Sequence, residues 1–149
     1  MKLSTEARLL EDMKAAMKAK DKDRLATIRL TRAALQNRRI DKGSDLTDNE
    51  AIEIVSSEVK KRRQAVEEYR NLGRADVADG LEKEIKILME YLPEQLSDEE
   101  VVSIVEGAVA QVGATGIDDL GKVMGAVMPK VKGRADGKKV NEIVRQVLD

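Results

Sequence analysis

The 149-residue chain contains no cysteine, histidine, tryptophan or phenylalanine. Without cysteine and histidine it cannot form a disulfide, a cysteine nucleophile, a Ser-His-Asp triad or a common zinc site. Its paired acids, Glu67-Glu68 and Asp118-Asp119, have no metal-ligand spacing behind them. Most hydrolytic and redox mechanisms are therefore excluded, and we expect no catalytic residue, no bound metal and no cofactor.

Aromatic residues are almost absent, since Tyr69 and Tyr91 are the only two. Any core must therefore be built from leucine, isoleucine, valine, methionine and alanine. Charged residues make up 37% of the chain, and runs of β-branched residues are few, a composition that favours helices. The length corresponds to about one average domain, and it also accommodates two small lobes.

Long hydrophobic runs are missing as well. The first residues, MKLSTEARLLEDM, carry Glu6, Arg8, Glu11 and Asp12 where a signal peptide is apolar. No apolar run reaches the roughly 18 residues of a transmembrane helix. The sequence therefore predicts a cytoplasmic protein that makes no contact with a membrane.

Apolar residues at intervals of three and four predict about four helices in residues 1–96. Ser4 or Thr5 is placed to cap the first helix, and Thr47 with Glu50 has the capping-box spacing that starts the third. The apolar face of the first helix consists of Leu3, Ala7, Leu10, Met13 and Met17. Such stripes need partner helices to cover them, so residues 1–96 are predicted to form a helical bundle.

Two basic stretches lie within this predicted bundle. The second helix carries Arg24, Arg29, Arg32, Arg38 and Arg39. The third carries the run from Lys60 to Arg63. Either stretch could contact an anionic partner or pair with neighbouring acids. For residues 60–63 we favour pairing, because Glu58, Glu67 and Glu68 lie within one or two helical turns.

The stretch YLPEQLSDEE marks a boundary between two lobes. Pro93 disfavours a helical conformation at Leu92, and Ser97 with Glu100 forms a second capping box. Three further apolar stripes follow, beginning at Val101, Leu120 and Val140. We therefore predict an all-α protein in which an N-terminal bundle, residues 1–96, is followed by a small three-helix lobe, residues 97–149.

Residues 116–122, GIDDLGK, match the GxxxxGK pattern of a nucleotide-binding loop. The match fails because Val123 stands where serine or threonine would hold magnesium, and because two aspartates would lie among the phosphates. The preceding AQVGAT is also too poor in apolar residues for the required buried strand. Gly121 and Gly125, one helical turn apart, are instead predicted to let two helices approach closely.

The segment from residue 122 to residue 139 concentrates positive charge, with six basic residues and one acid in a chain of net charge −1. Pro129, Gly133 and Gly137 leave no room for a continuous helix there, and Asp136 is placed to cap the last helix. A cationic, glycine-bent loop beside a helix N-terminus suits an anionic backbone, although such a loop is most often a solvated surface. The candidate nucleic-acid contacts are Lys130, Lys132, Arg134, Lys138 and Lys139.

The stretches GAVMPKVKGRADGKKVNEIV, LEDMKAAMKAKDKDRLATIRL and EIKILMEYLPEQLSDEE resemble the GatB/YqeY family. Its members include small stand-alone proteins and the C-terminal tail domain of the B subunit of tRNA-dependent glutamine amidotransferase. The resemblance covers essentially the whole chain and implies an all-helical module that holds tRNA while other domains perform the chemistry. Positions that match the tail's pattern are Gly125, Val127, Met128, Gly133, Ala135, Val140 and Asn141, and Arg134 occupies a basic position. The tail usually has Asn-Pro in place of Asp136-Gly137.

Three functions are consistent with these features. The first is a tRNA-binding module that assists aminoacyl-tRNA metabolism, with folded tRNA as its partner and an amidotransferase or aminoacyl-tRNA synthetase as a further candidate partner. The second is a helical protein-interaction module whose bundle groove accepts a partner helix. The third and weakest is amidotransferase activity, the transfer of a glutamine amide nitrogen by a carbon–nitrogen ligase. We expect no catalysis by the chain alone, since it offers no convincing ATP site or nucleophile with a base.

Overall fold

The computed structural model describes residues 3–149, and every regular element in that range is helical. The seven α-helices are α1 (Thr5–Ala19), α2 (Lys22–Lys42), α3 (Asp48–Asn71), α4 (Ala75–Met89), α5 (Asp98–Val112), α6 (Leu120–Val131) and α7 (Gly137–Leu148), with a short 3-10 helix (Ile117–Asp119) before α6. The predicted all-α fold is confirmed. The chain divides into two compact units, residues 1–92 and 93–149, so the division falls four residues before the predicted start of the second lobe.

Helix starts in the first unit follow the predicted capping. Ser4 Oγ accepts a hydrogen bond from a backbone amide of the first turn of α1 at 3.1 Å. The Thr47 hydroxyl accepts from the Glu50 amide at 3.1 Å, and the Glu50 carboxylate accepts from the Thr47 amide at 3.0 Å. Lys42 Nζ also donates to that carboxylate at 2.6 Å. The hydrogen bonds from Lys42 and Thr47 lower the pKa of Glu50 to about 2.

The core of the first unit draws on all four of its helices. Its buried residues are Leu9, Ile28, Leu35, Ala51, Val55, Val59, Leu88 and Tyr91. Arg62 is also buried, and its guanidinium lies 3.1 Å from the Glu84 carboxylate and 3.6 Å from that of Glu58. Lys61 pairs with Glu58 at 3.2 Å. The predicted pairing of residues 60–63 with acids is therefore confirmed at these two positions.

The buried face of α1 is not the one that the spacing predicted. Leu9 and Ala16 are 0% and 3% exposed, and of the predicted face Met13 packs against the core, whereas Leu10, Met17 and Leu3, which precedes the helix, are 36%, 49% and 50% exposed. The helix carries apolar residues on two sides, and periodicity alone cannot select between them. One apolar row of α1 is consequently left at the surface.

Tyr91 is 2% exposed and joins the end of α4 to α1 and α2. Its hydroxyl donates to Asp12 at 2.5 Å, and the Arg8 guanidinium lies 4.9 Å from the ring centroid. Arg8 also donates to the Glu90 carbonyl at 2.9 Å, and Arg24 donates to the Glu90 carboxylate at 2.7 Å. Burial and the bond to Asp12 raise the pKa of the Tyr91 hydroxyl, so it stays protonated and acts as a donor.

The second unit packs α5, α6 and α7, the three helices predicted for the second lobe, around a core dominated by valine. Its buried residues are Val101, Val105, Ala108, Val123, Val127, Val131, Val140, Ile143, Val144 and Leu148. Within residues 3–149, no single helix has the length and apolar character to cross a membrane. Among the described residues, the length and apolar character are reached only when α5 and residues 117–131 are counted together, and these two segments are bent by 94° relative to each other.

Helix α6 continues through Pro129 to Val131, and the predicted absence of a continuous helix is confirmed because residues 132–136 separate α6 from α7. Proline already has a helical φ, and the hydrogen bond that it cannot make would have ended on the carbonyl of Gly125, an exposed residue. Gly121 and Gly125 do not serve a close helix contact, because a Cβ atom added at either position would meet no atom within 4 Å.

Replacing Tyr91 with phenylalanine removes the donor to Asp12 while keeping the ring. We expect Tyr91→Phe to lower the free energy of unfolding by about 1.5–3 kcal/mol, since hydrogen bonds to charged groups fall in that range. Urea unfolding followed by circular dichroism measures the change. The control is Tyr69→Phe, because no hydrogen bond joins the Tyr69 hydroxyl to the described residues; its effect should stay within about 0.5 kcal/mol. Equal effects of the two variants would contradict the assignment.

Replacing Gly125 with alanine tests the correction to α6. We expect Gly125→Ala to stabilise the protein by about 0.5–1 kcal/mol, because alanine loses less conformational entropy than glycine in a helix and its methyl group has open space. Thermal melting measures the shift. Gly113, with φ 69°, is the matched contrast, and Gly113→Ala should lower the melting temperature. Destabilisation by Gly125→Ala would restore the close-contact interpretation.

Candidate nucleic-acid interface

The predicted cationic segment forms a tight turn between α6 and α7. The amides of Arg134 and Ala135 both donate to the Val131 carbonyl, at 2.8 and 3.0 Å. Gly133 lies between the end of α6 and these two residues. Its φ of 75° is a left-handed conformation that glycine adopts without steric cost. Residues 132–136, which we call the α6–α7 turn, therefore form a hydrogen-bonded turn between the two helices.

Residues 93–96, which we call the clamp segment, hold this turn by hydrogen bonds to its main-chain carbonyl groups. The Leu96 amide donates to the Arg134 carbonyl at 2.8 Å, and Gln95 Nε2 donates to the Gly133 carbonyl at 2.9 Å. The sequence assigned these residues to the first lobe. Pro93 and the capping box that begins at Ser97 predicted a boundary between lobes. A local sequence pattern cannot show that residues 93–96 contact a turn that lies much later in the chain.

All five predicted contact residues lie on α6, the turn or α7. Their positions are the last turn of α6 (Lys130), its C-cap (Lys132), the α6–α7 turn (Arg134) and the first turn of α7 (Lys138 and Lys139). Four are exposed and Arg134 is half-buried. The structure thus places them on one continuous segment, within ten residues.

Arg134 is directed in part toward its own unit. Its Nε donates to the Glu94 carbonyl at 3.3 Å. Hydrogen bonds with Ser97 hold the pKa of Glu100 below its usual range, and the charge of Arg134 adds to that effect. Arg134 therefore both positions the turn and faces the acidic start of α5.

The start of α5 also offsets part of the lysine charge. Lys139 Nζ lies 3.6 Å from the Asp98 carboxylate, with both side chains at least half exposed, so the pair contributes little to stability. Lys130, in contrast, makes no ion pair with any residue in the range 3–149. Lys130 is consequently a cation on the α6 side of the segment that no described acid offsets.

Asp136 caps α7 as predicted. Its carboxylate accepts a hydrogen bond from the Lys138 amide at 3.3 Å, and its carbonyl accepts from the Val140 amide at 3.0 Å. One first-turn amide of α7 is therefore already occupied by an internal carboxylate. An anionic ligand at this point would meet lysine side chains in preference to that amide.

Residues 116–122 have a structural role at the start of α6. The Asp119 carboxylate accepts a hydrogen bond from the Thr115 amide at 2.9 Å, which lowers the pKa of Asp119. The element before this loop is helix α5, whereas a nucleotide-binding loop follows a buried strand. The geometry agrees with the rejection of the GxxxxGK match.

The arginines of α2, in the first unit, divide into two groups. Arg24 pairs with Glu90 at 2.7 Å and Arg39 with Glu6 at 2.5 Å. Within the described part of the chain, no carboxylate pairs with the other three, Arg29, Arg32 and Arg38. Pairing with acids therefore accounts for only part of this basic helix.

Comparison with known proteins gives three kinds of match. A family model described as Yqey-like protein matches residues 6–148. The chain is 30% identical over 144 residues to altered inheritance of mitochondria protein 41, mitochondrial, from Pyrenophora tritici-repentis, a match covering 95% of this chain and 79% of that protein. The protein of the same name from Lachancea thermotolerans is 35% identical over 91 residues, covering 60% and 49%. A glutamyl-tRNA(Gln) amidotransferase subunit from Thermococcus gammatolerans is 44% identical over 57 residues, covering 36% and 9%.

These matches correct the predicted location. Several of the similar proteins are named as mitochondrial, so the prediction of a cytoplasmic protein was wrong. That prediction depended on a lack of apolar runs. Mitochondrial targeting uses amphipathic, arginine-rich segments instead, and a search for apolar runs cannot detect them.

Replacing Gln95 with alanine tests the clamp segment. Gly133 is buried, and Gln95→Ala leaves its carbonyl without the side-chain donor, so we expect a loss of about 1–3 kcal/mol in the free energy of unfolding. Amide hydrogen exchange at Arg134 and Ala135 should also become faster. Gln111→Ala, at an exposed glutamine of α5, is the control. A variant at Gln95 that matched this control in both measurements would contradict the role of the clamp.

Proposed function

This chain belongs to the Yqey-like protein family, and we propose that it is an accessory module that binds folded tRNA. The observation that carries the proposal is the cationic segment across the α6–α7 turn. Its contact residues are Lys130, Lys132, Arg134, Lys138 and Lys139. A similar protein is named as a subunit of glutamyl-tRNA(Gln) amidotransferase, which supports a place in aminoacyl-tRNA metabolism.

The shape of the segment suits a phosphate backbone. Cations on α6, on the turn and on α7 flank a turn whose main-chain carbonyl groups accept hydrogen bonds from Gln95 and Leu96. Because the turn is already ordered, binding would cost little loop entropy. Phosphate contacts made by lysine and arginine supply affinity that does not depend on sequence.

The scarcity of aromatic residues favours folded RNA over single strands. Single-stranded RNA is generally read by stacking bases on aromatic rings. Of the two tyrosines, Tyr91 is 2% exposed and its hydroxyl is bonded to Asp12. Recognition through phosphates and 2′-hydroxyl groups needs no such ring.

We assign the chain a binding role, with the chemistry performed by a partner such as an amidotransferase or an aminoacyl-tRNA synthetase. Release of ammonia from glutamine needs a nucleophile with a base, and without cysteine and histidine the chain lacks the commonest of each. Glutamine-dependent ammonia release by the purified protein would overturn this assignment.

The direct test is binding of the purified protein to a tRNA transcript and to an unstructured RNA of equal length across a salt series. We expect tighter binding to tRNA. The logarithm of the association constant should fall with the logarithm of salt concentration by about 0.7–0.9 per phosphate contact. Equal affinity for the two RNAs would contradict the proposal.

Charge reversal locates the interface. The double variant Lys130→Glu and Lys132→Glu should weaken tRNA binding and reduce the salt slope by about 0.7–0.9 for each phosphate that the variant no longer binds. Arg134 is left unchanged because the clamp segment contacts it. The control is Lys83→Glu with Lys86→Glu, which makes the same change of charge at exposed positions of α4. Equal weakening by both double variants would show a general charge effect and count against the proposed site.

A further inference from the structure

Helix α1 presents an apolar row that the other described residues cover only in part. Leu10 and Met17 are seven residues apart, so they lie in line along one side of the helix. They are 36% and 49% exposed, and Leu3, just before the N-cap Ser4, is 50% exposed, while Leu9 and Ala16 on a neighbouring side enter the core. Isolated exposed leucines are common on protein surfaces, but an aligned row of them is a feature of interaction sites.

A groove of about 630 Å³ lies between α1 and α2, and Leu10 of this row forms part of its wall. Its apolar lining also includes Ala7 from α1 and Ala33 and Leu35 from α2. Leu35 is 3% exposed, so the groove reaches the edge of the core of this unit. This volume lies within the range of about 300–1,000 Å³ that specific ligand sites have.

The same groove carries an excess of positive charge. Arg29, Arg32 and Arg39 line it together with a single acid, Glu6. Arg39 is bonded to Glu6 at 2.5 Å. Arg32 contacts the Met13 sulfur at 3.2 Å, and neither Arg29 nor Arg32 pairs with a carboxylate of residues 3–149. Two guanidinium groups are thus available to an acidic partner.

We propose that this groove binds an acidic amphipathic helix of a partner protein. The apolar face of that helix would pack on Leu10 and its row, and its carboxylates would pair with Arg29 and Arg32. Helices docked in grooves use apolar anchors at intervals of three, four and seven residues, and such anchors could contact both Leu10 and Met17, which lie seven residues apart on α1. Charge complementarity then selects acidic partners over basic ones.

Other occupants fit less well. A nucleic acid would use the arginines but leave the apolar row in water. A second copy of the chain would bring two basic grooves together, with Lys14 on the same side of α1 as Leu10 by helical spacing. The proposal concerns the first unit alone and does not depend on tRNA binding by the second.

The probe is a fluorescein-labelled helical peptide of about 18 residues, with leucines at intervals of three and four and glutamates on both flanks. Fluorescence anisotropy with the full chain should show saturable binding that weakens as salt increases. Two matched peptides, one with lysine for every glutamate and one with serine for every leucine, should bind at least about tenfold more weakly. Failure of the acidic peptide to bind, or equal binding of the lysine peptide, would overturn the proposal.

Variants of the protein locate the site. Leu10→Ser and Arg29→Glu should each reduce peptide affinity at least about fivefold, the effect of losing an important interface side chain. The matched controls are Leu72→Ser, at a leucine that is 73% exposed outside the groove, and Arg38→Glu, at an exposed arginine of α2 that does not line it. Controls that weaken binding as much as the groove variants would overturn the proposal. Should Leu10→Ser lower the melting temperature, Met17→Ser tests the same row.

Competition distinguishes this site from the proposed RNA interface. An excess of tRNA should leave the peptide bound, and Lys130→Glu with Lys132→Glu should leave peptide affinity within about twofold, because those lysines are absent from the groove. Displacement of the peptide by tRNA would assign the groove to nucleic acid and overturn the proposal. Failure of tRNA binding with intact peptide binding would affect only the function proposed for the second unit.

Discussion

The hydrogen bond from Tyr91 to Asp12 is a central contact between α1 and the rest of the first unit, and it acts together with the bond from Arg8 to Glu90 and the burial of Leu9. Asp12 is on the side of α1 opposite Leu10, since two residues turn a helix by about 200°. Anchoring Asp12 to the end of α4 therefore directs Leu9 into the core and leaves the row containing Leu10 outside. The groove beside α2 exists because α1 is held in this orientation.

In the second unit, the main structural feature is a cationic turn that is kept ordered within a small domain. Its core consists largely of valine, which fills space well but offers no polar contact to the turn. The clamp segment supplies those contacts through the Gln95 side chain and the Leu96 amide. Acids at the start of α5 face Arg134 and Lys139, so the same region that orders the turn also moderates its charge.

The differences between expectation and structure have a common physical cause. Capping residues such as Ser4, Thr47 and Ser97 act on amides within their own helix, so their roles could be read from spacing alone. The exposed row on α1, the open space beside Gly125 and the bond from Gln95 to Gly133 all depend on which segments meet. Periodicity shows that a helix has an apolar face, but where two faces qualify it cannot select the one that is covered.

The sequence by itself determined an all-helical chain, the starts of its main helices and the composition of its cores, because propensity, capping and hydrophobic spacing act over a few residues. It also determined where along the chain the cations concentrate. Only the tertiary structure decided that Tyr91 is buried against Asp12, that residues 93–96 hold the α6–α7 turn, and that α1 and α2 leave a basic groove between them. These contacts join residues about 20 to 80 positions apart, and their free energy comes from packing and hydrogen bonds that no local pattern encodes.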